Sequence, residues 1–265
     1  MKHIIIITGA SSGMGAEFAR QIYAQHSGAG KTTEMWLIAR EKDKLNQFAR
    51  ELTGRDIAVR TFAFDLCGAN GAGRVNDMLA TESQNGKFIV DLLINNAGFG
   101  TYGPFVETDP LREMSMIDLN CTSLTGICGF VLSHMQRGGR IINVASLAAF
   151  LPLGNFAVYA ATKSYVLSFS IALAAELRDH GISVCAMCPG SVSTNFANVA
   201  SNGKRHDVLH GVDPRRVVAH ALRASERRHR VALWSIKWKA KAFITRFIGR
   251  YIGARAAYLF NKRPH

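Results

Sequence analysis

The sequence predicts an α/β protein, an open parallel sheet of about seven strands with helices on both faces. Short apolar runs alternate with longer stretches of helical periodicity along most of the 265 residues. Most of the short runs are continuously apolar, as expected for parallel strands that are buried on both faces. Each run is followed by enough residues for a crossover helix, and crossovers between parallel strands are right-handed.

The elements follow one another in chain order, and a last short strand precedes a basic tail. The predicted strands are His3–Thr8, Met35–Ala39, Ile57–Phe64, Ile89–Asn95, Arg140–Ser146, Ile182–Cys188 and Arg230–Leu233. The predicted helices span residues 13–25, 41–53, 71–83, 110–135, 156–179 and 213–226. We expect one domain over residues 1–233 and a helical C-terminal extension over residues 234–265.

Composition narrows the class of protein. Apolar residues make up 48% of the chain, which is typical of a globular protein. The N-terminal run Ile4–Ile7 is too short for a signal peptide, and no stretch reaches the length of a membrane span without polar interruption. An odd count of five cysteines then indicates free thiols and a reducing, cytoplasmic location. Cys185 and Cys188 form a C-x-x-C pair, which we interpret as buried packing because no second pair or nearby His accompanies it; no metal is expected.

The positive charge is concentrated at the C-terminus. Residues 227–265 hold 11 Lys and Arg residues and no Asp or Glu, out of a net charge of +13. On one continuous helix, an apolar face would lie opposite Lys239, Arg246 and Arg250. Such a helix suits peripheral contact with an anionic membrane surface, and packing on the domain or on a partner subunit is the alternative. No nucleic-acid-binding motif is present, so no nucleic-acid partner is expected. The apolar face comprises Phe243, Ile244, Phe247, Ile248, Tyr251 and Ile252.

The turn between the first strand and the first helix, GASSG at residues 9–13, fits two motifs. As G-x-S-x-G it would present Ser11 as a hydrolase nucleophile, but no later acid and His lie in recognisable strand-end settings. As the start of G-x-x-x-G-x-G it would let the backbone approach a pyrophosphate at a helix N-terminus. We therefore expect a dinucleotide cradle, with the two serines capping the loop. Its predicted residues are Gly9, Ser11, Ser12, Gly13, Met14 and Gly15.

Further motifs follow along the chain, most of them at the ends of later strands. Together with the glycine turn they resemble the short-chain dehydrogenase/reductase family in its single-domain branch, over residues 3–233. The resemblance implies a Rossmann-type doubly wound sheet and an oxidoreductase that interconverts a carbonyl and a secondary alcohol by hydride transfer. The motifs are Asp65-Leu66, Asn95-Asn96-Ala97-Gly98, Ser146, Tyr159-Ala-Ala-Thr-Lys163 and Pro189-Gly190.

The chemistry of the Tyr-Lys pair can be argued from the residues. Tyr159 and Lys163 are four residues apart on a predicted helix and so share one face. A tyrosine has a pKa near 10, and a nearby ammonium lowers it by favouring the phenolate. The family resemblance implies that Tyr159 exchanges the proton, Lys163 lowers its pKa and binds the ribose, and Ser146 orients the carbonyl. It also implies that Asn120 positions a water in a proton relay.

The cofactor preference depends on the residue that ends the second strand. Enzymes that use NAD place an acid there to bind the ribose 2′-hydroxyl, whereas this chain has Arg40, which suits a 2′-phosphate. The expected cofactor is therefore NADP(H), and the adjacent Glu41 keeps NAD(H) as the alternative. By resemblance the remaining cofactor residues are Asp65, Leu66, Asn95, Ala97, Gly98, Tyr159, Lys163, Pro189, Gly190, Val192 and Thr194.

The segments expected around the reacting carbon are rich in aromatic residues. Phe99, Phe150 and Phe156, together with Ser146 and Tyr159, are the predicted substrate residues. These rings predict an apolar, bulky substrate, either hydroxysteroid-like or a 3-oxoacyl compound. The alternative is that the rings only pack on one another. The resemblance also implies a homodimer or homotetramer formed through the helices at 110–135 and 156–179. The competing interpretation is a cofactor-binding or membrane-docking module that has kept the fold of a carbonyl reductase.

Overall fold

The predicted parallel sheet is confirmed. The computed structural model describes residues 1–25, 33–52, 57–205, 208 and 211–261. All strand pairs within the sheet are parallel, in the order β3-β2-β1-β4-β5-β6-β7. The strands are β1 (Lys2–Thr8), β2 (Thr33–Ala39), β3 (Ala58–Ala63), β4 (Phe88–Asn95), β5 (Arg140–Val144), β6 (Ser183–Met187) and β7 (Val231–Ala232). The strand order reverses direction between β1 and β4, which is where doubly wound sheets bind dinucleotides.

Helices cover both faces of this sheet. They are α1 (Gly13–Gln25), α2 (Lys42–Glu51), α3 (Gly68–Gln84), α4 (Pro110–Ile117), α5 (Leu124–Leu132), α6 (Ala157–Glu176), α7 (Phe196–Ala200), α8 (Pro214–Glu226), α9 (Ile236–Ile244) and α10 (Arg250–Phe260). Residues of α1, α2 and α8 pack with Ile5 and Ile7 on one face. Residues of α3, α5 and α6 pack with Ile4 and Ile6 on the other. Alternate side chains of β1 thus enter two cores, which explains its unbroken apolar run.

The helix predicted over residues 110–135 changes pitch in its middle. A π-helical segment, Asp118–Ser123, separates α4 from α5. A π turn contains one residue more than an α turn, and such turns are frequent at functional sites. Here it carries Asn120, whose side chain is 1% exposed.

The prediction of one continuous helix in the tail is wrong. Residues 245–249 belong to neither α9 nor α10, and the chain turns at Gly249, with φ −54° and ψ 129°. The physical reason is that each half of the tail packs on a different part of the domain. Trp238 and Ala242 of α9 are buried, and in α10 Gly253 lies against Leu151.

The cysteines and the long helices bear on two other expectations. All five cysteines are free, and burial raises the pKa of the Cys185 thiol to about 12. Cys185 and Cys188 both lie in the core, as the packing interpretation requires.

Two helical stretches, Pro110–Leu132 and Ala157–Glu176, are long and apolar enough to cross a membrane by composition alone. Both contribute buried residues to the layer on the sheet, as core helices do.

Candidate functional site

The predicted site lies at the carboxyl edge of the sheet, around the ends of β1, β4, β5 and β6. The glycine turn after β1 adjoins the loop after β4. Gly9 has φ +63°, and a Cβ there would lie 2.8 Å from Asn96 Nδ2 and 3.0 Å from the Cα of Ala97. A Cβ at Gly15 would overlap the carbonyl oxygen of Gly9. The turn is therefore built for close backbone approach, and its residues fit the pyrophosphate of a dinucleotide.

Two side chains that the sequence interpretation did not assign brace this turn. The hydroxyl of Thr8 accepts hydrogen bonds from the backbone N–H groups of Asn96 and Ala97, both at 3.0 Å. The side-chain amide of Asn96 donates to the carbonyls of Thr8 at 3.1 Å and Gly9 at 3.2 Å. The sequence could have indicated them by position, since Thr8 directly precedes Gly9 and Asn96 is the second residue of NNAG. They fix the glycine turn to the loop after β4.

The remaining members of the cradle lie around its rim. Ser12 accepts the first backbone hydrogen bond of α1, from Ala16 at 3.2 Å. Ser11 is half-buried in the turn, and Met14 packs against the core. Thr194, in the loop after β6, lies near Gly13, where a Cβ would be 3.5 Å from its methyl group. The loop after β6 therefore faces the start of α1.

Charged residues at the ends of β2 and β3, Arg40, Glu41 and Asp65, are exposed at the same edge. Arg40 is exposed, and no carboxylate of the described residues lies within ion-pair distance of it. The Glu41 carboxylate lies 3.9 Å from Lys44 Nζ, within the start of α2. After β3, Asp65 accepts from the backbone N–H of Cys67 at 3.0 Å, and Leu66 is buried. The guanidinium of Arg40 thus has no ion-pair partner among the residues that the structure describes.

The buried lysine is tied to the end of β5. Lys163 Nζ donates to the carbonyl of Val144 at 2.8 Å and lies 5.7 Å from the ring centroid of Tyr159. Its side chain is almost fully buried, and this burial lowers the pKa of Lys163 from 10.5 to about 8. A Cβ at Gly98 would lie 3.5 Å from Nζ. The ammonium is therefore held between α6, β5 and the loop after β4.

Because that charge is buried at a cost, Lys163→Met is expected to raise the free energy of unfolding near pH 7 by about 1–3 kcal/mol. The unfolded chain keeps its proton up to a pH of about 10.5, whereas the folded protein releases it above about 8. The stability gain is thus full below about pH 8 and shrinks towards pH 10.5. Urea unfolding of both proteins at neutral and alkaline pH measures it. The exposed Lys87→Met is the control; a less stable Lys163→Met, or a pH-independent difference, would contradict the expectation.

Asn120 and Ser146 hold backbone segments beside Tyr159. The Asn120 side chain accepts from the N–H of Phe99 at 3.1 Å and donates to its carbonyl at 3.0 Å, so it fastens the loop after β4. The Ser146 hydroxyl accepts from the N–H of Ala148 at 3.1 Å and lies 3.5 Å from the carbonyl of Pro189. Ser146 lies two residues after Val144, the last residue of β5, whose carbonyl binds Lys163.

Aromatic rings surround the predicted catalytic tyrosine. Phe156 stacks on Tyr159 with centroids 4.2 Å apart, and Phe196 of α7 lies 5.3 Å away. Tyr102 packs on Phe156 at 4.8 Å. Both rings lie in segments that the sequence places around the reacting carbon, residues 99–105 and 191–210. Neither was among the predicted substrate residues, because their ring contacts depend on how three loops converge. Phe150, by contrast, packs against the core formed by α3, α5 and α6.

Three further predicted cofactor residues have structural partners. The Asn95 side chain points into the interior, where it donates to Asn143 at 3.0 Å. Gly190 lies under the tail, since a Cβ there would be 2.6 Å from the ring of Trp238. Val192 is buried and bridges to Val212. Their roles towards a cofactor stay predictions.

Comparison with protein families and curated proteins agrees with this geometry. The family model described as short chain dehydrogenase matches residues 3–205. A very-long-chain 3-oxoacyl-CoA reductase of Pyrenophora tritici-repentis is 32% identical over 202 residues, which are 73% of this chain and 56% of that protein. A serine 3-dehydrogenase of Rhizobium radiobacter is 28% identical and covers 81% of this chain and 83% of its own. Across several of the other curated relatives, the matched part spans between 32% and 63% of the relative's length.

Solved structures share the fold over nearly the whole chain. A short-chain dehydrogenase from Sphingobium yanoikuyae, in complex with NADPH, has a TM-score of 0.76 at 28% identity and covers 93% of this chain and 94% of its own. A bulky-bulky ketone specific alcohol dehydrogenase from Comamonas testosteroni has a TM-score of 0.73 at 25% identity, with 92% of each chain covered.

Proposed function

The chain belongs to the short-chain dehydrogenase/reductase family, and from that premise we propose that it is an NADP(H)-dependent oxidoreductase acting on an apolar, bulky ketone or secondary alcohol. The observation that carries the proposal is the buried Lys163, held by the carbonyl of Val144 and 5.7 Å from the ring of Tyr159. A buried amine lowers the stability of the fold, and groups whose pKa is perturbed in this way cluster at functional sites.

In the proposed reaction the chain's own residues move one proton and orient one carbonyl. When bound, the nicotinamide cofactor supplies or accepts the hydride. The Tyr159 hydroxyl gives its proton to the substrate oxygen in reduction and takes it back in oxidation. The Lys163 ammonium stabilises the phenolate that Tyr159 leaves behind, because opposite charges favour the ionised form. The Ser146 hydroxyl donates a hydrogen bond to the same oxygen, and Asn120 keeps the Phe99 loop in position beside it.

The residues proposed to hold the cofactor line the edge from β3 to β6. The glycine turn, braced by Thr8 and Asn96, would bind the pyrophosphate through backbone N–H groups at the start of α1. Asp65 and Leu66 would meet the adenine, and Thr194 would meet the carboxamide. The exposed guanidinium of Arg40, which forms no ion pair within the described part of the chain, supports binding of a 2′-phosphate.

Arg40→Asp is expected to reverse the cofactor preference. Losing a charge-assisted contact to the 2′-phosphate costs about 1.5–3 kcal/mol, so kcat/KM with NADPH should fall roughly 10–100-fold, while that with NADH rises. Steady-state kinetics with both cofactors measure the ratio. Arg50→Asp, at the far end of α2, makes the same change of charge away from the edge and should leave the ratio unchanged. An unchanged ratio in Arg40→Asp would overturn the NADP(H) proposal.

The proposed substrate class follows from the rings around Tyr159. Phe156, Phe196 and Tyr102 give the site an apolar wall, which favours a bulky carbonyl compound over a sugar. Relatives named for 3-oxoacyl-CoA and bulky-bulky ketone substrates are in keeping with this class. The test is NADPH oxidation with a panel of steroid ketones, long-chain 3-oxoacyl thioesters, aromatic ketones and sugars. Turnover of sugars alone would overturn the proposed substrate class. Absence of turnover with every compound would count against the proposal that the chain is an oxidoreductase.

A homodimer or homotetramer is part of the proposal. Apolar side chains on the outer faces of α4 and α6 are exposed, with Leu111 71% and Met114 60% exposed. On α6, Tyr165 and Ile171 are also exposed. Exposed apolar side chains that share one surface are typical of a face covered by another subunit.

A further inference from the structure

The outward side of α9 and α10 combines two properties that rarely coincide on a soluble domain. It exposes large apolar side chains over its whole length, Phe247 75% and Tyr251 81% among them. Exposed apolar patches of this extent mark interaction sites. We call this surface the tail surface; its apolar residues are Ile236, Phe243, Ile244, Phe247, Ile248, Tyr251, Ile252, Tyr258, Leu259 and Phe260.

Cations are interspersed with these apolar residues, without any anion. Every Lys and Arg of α9 and α10 and of the segment between them is exposed, and residues 227–265 include no Asp or Glu. Within the part of the chain that the structure describes, none of them forms an ion pair. They are Lys237, Lys239, Lys241, Arg246, Arg250 and Arg255. Uncompensated cations beside apolar side chains match the headgroups and acyl chains of an anionic bilayer.

The inner side of the tail is fastened to the loops that border the candidate site. Trp238 of α9 covers Gly190, in the loop after β6. In α10, the carbonyl of Ala254 accepts from the N–H of Gly154 at 3.3 Å, and that of Tyr258 accepts from the Asn155 side chain at 2.9 Å. Asn155 directly precedes Phe156, which stacks on Tyr159. The tail surface is thus carried by the same loops that form the apolar wall of the site.

We propose that the tail surface docks on an anionic lipid bilayer and holds the substrate side of the site against it, so that the substrate is a carbonyl compound dissolved in the membrane. The second clause rests on the proposed function. A second copy of the chain is a poor occupant, because pairing two identical tail surfaces would oppose like charges. A bilayer satisfies both the apolar and the basic residues at once.

The first experiment is co-sedimentation of the full chain with phosphatidylcholine vesicles, with and without about one third phosphatidylserine. Binding is expected to the anionic vesicles, at least about tenfold stronger than to neutral ones, and to weaken at high salt. Arg246→Glu/Arg250→Glu should lose at least about tenfold in affinity. Lys87→Glu/Arg178→Glu, the same change of charge on exposed residues at the opposite edge of the sheet, should bind like the parent. Phe247→Ser/Ile252→Ser tests the apolar part and should also bind more weakly.

Vesicle binding needs neither cofactor nor turnover, so its outcome is independent of the proposed reaction. No sedimentation with anionic vesicles, or equal loss in both charge-reversal pairs, would overturn the docking proposal. Self-association that disappears in Phe247→Ser/Ile252→Ser would identify a second copy as the occupant instead. If the substrate is dissolved in the membrane, anionic vesicles should raise turnover of a long-chain ketone severalfold. They should not raise turnover of a short, water-soluble ketone. The effect should occur only in variants that bind the vesicles. Equal stimulation of both ketones would overturn that clause, whereas absence of turnover without vesicles on either ketone would count against the proposed function.

Discussion

Tyr159→Phe is expected to lower kcat for ketone reduction by about 10²–10⁴-fold while leaving the affinity for NADPH unchanged. The substitution removes only the hydroxyl that we propose exchanges the proton. The ring remains, so its stacking on Phe156 at 4.2 Å and its contact with Phe196 at 5.3 Å are kept. Steady-state kinetics give kcat, and the change in nucleotide fluorescence on binding gives the dissociation constant of NADPH.

The matched control lies on the same helix. Tyr165→Phe also removes one phenol hydroxyl from α6, one that pairs with Thr125 at 2.8 Å on the exposed side. It should keep kcat within about twofold, since exposed hydrogen bonds contribute little. If Tyr159→Phe retains full kcat, Tyr159 is not the proton donor. If both variants lose NADPH binding, the effect is structural.

Gly15→Ala should abolish measurable cofactor binding and lower the stability of the fold. Its methyl group would overlap the carbonyl oxygen of Gly9 and come within 2.6 Å of Asn96 Nδ2. Both neighbours are fixed, because Asn96 holds the carbonyls of Thr8 and Gly9. The turn must then open, at a cost of about 1–3 kcal/mol in unfolding free energy and at least about 100-fold in affinity for NADPH.

Another helical glycine provides the comparison. At Gly73, in α3, a Cβ would meet nothing within 4 Å. Gly73→Ala should therefore be neutral or stabilise the protein by about 0.5–1 kcal/mol, because alanine favours the helix. Thermal unfolding and NADPH titration of the two variants distinguish a local clash from a general effect of replacing glycine. Normal NADPH affinity in Gly15→Ala would exclude the turn as the cofactor cradle.

Apolar periodicity was sufficient to predict the sheet and its helices. Residue patterns could not predict where a helix changes course, because that depends on tertiary partners. The π segment forms where Asn120 reaches the backbone of Phe99, far from it in sequence. The tail bends because Trp238 and Gly253 pack on separate loops. A helical wheel assumes one straight axis and cannot represent either event.

Some residues of the candidate site could likewise be located from the sequence, whereas others depend on tertiary contacts. Ser146 and the loop after β4 could be located from the sequence because parallel strands end at one edge. Lys163 could be located because it lies four residues after Tyr159 on one helix. The brace formed by Thr8 and Asn96 could not, since nothing in a motif states which backbone group a side chain will bond. The segment that holds Phe196 was expected near the reacting carbon, but the contact of its ring with Tyr159 depends on tertiary packing that no motif specifies.

The packing of Trp238 on Gly190 and of Gly253 on Leu151 has a consequence for how the protein opens. The loop after β5 and the loop after β6 belong to different crossovers, and both pack against the tail. Neither loop can therefore move far without breaking its contact with the tail. We expect them to open together as a single cooperative unit, with one free energy of local unfolding rather than two. Whatever binds the tail raises that free energy for both loops at once. A ligand bound to the tail would then set how often the two loops open and the candidate site exchanges its contents with solvent.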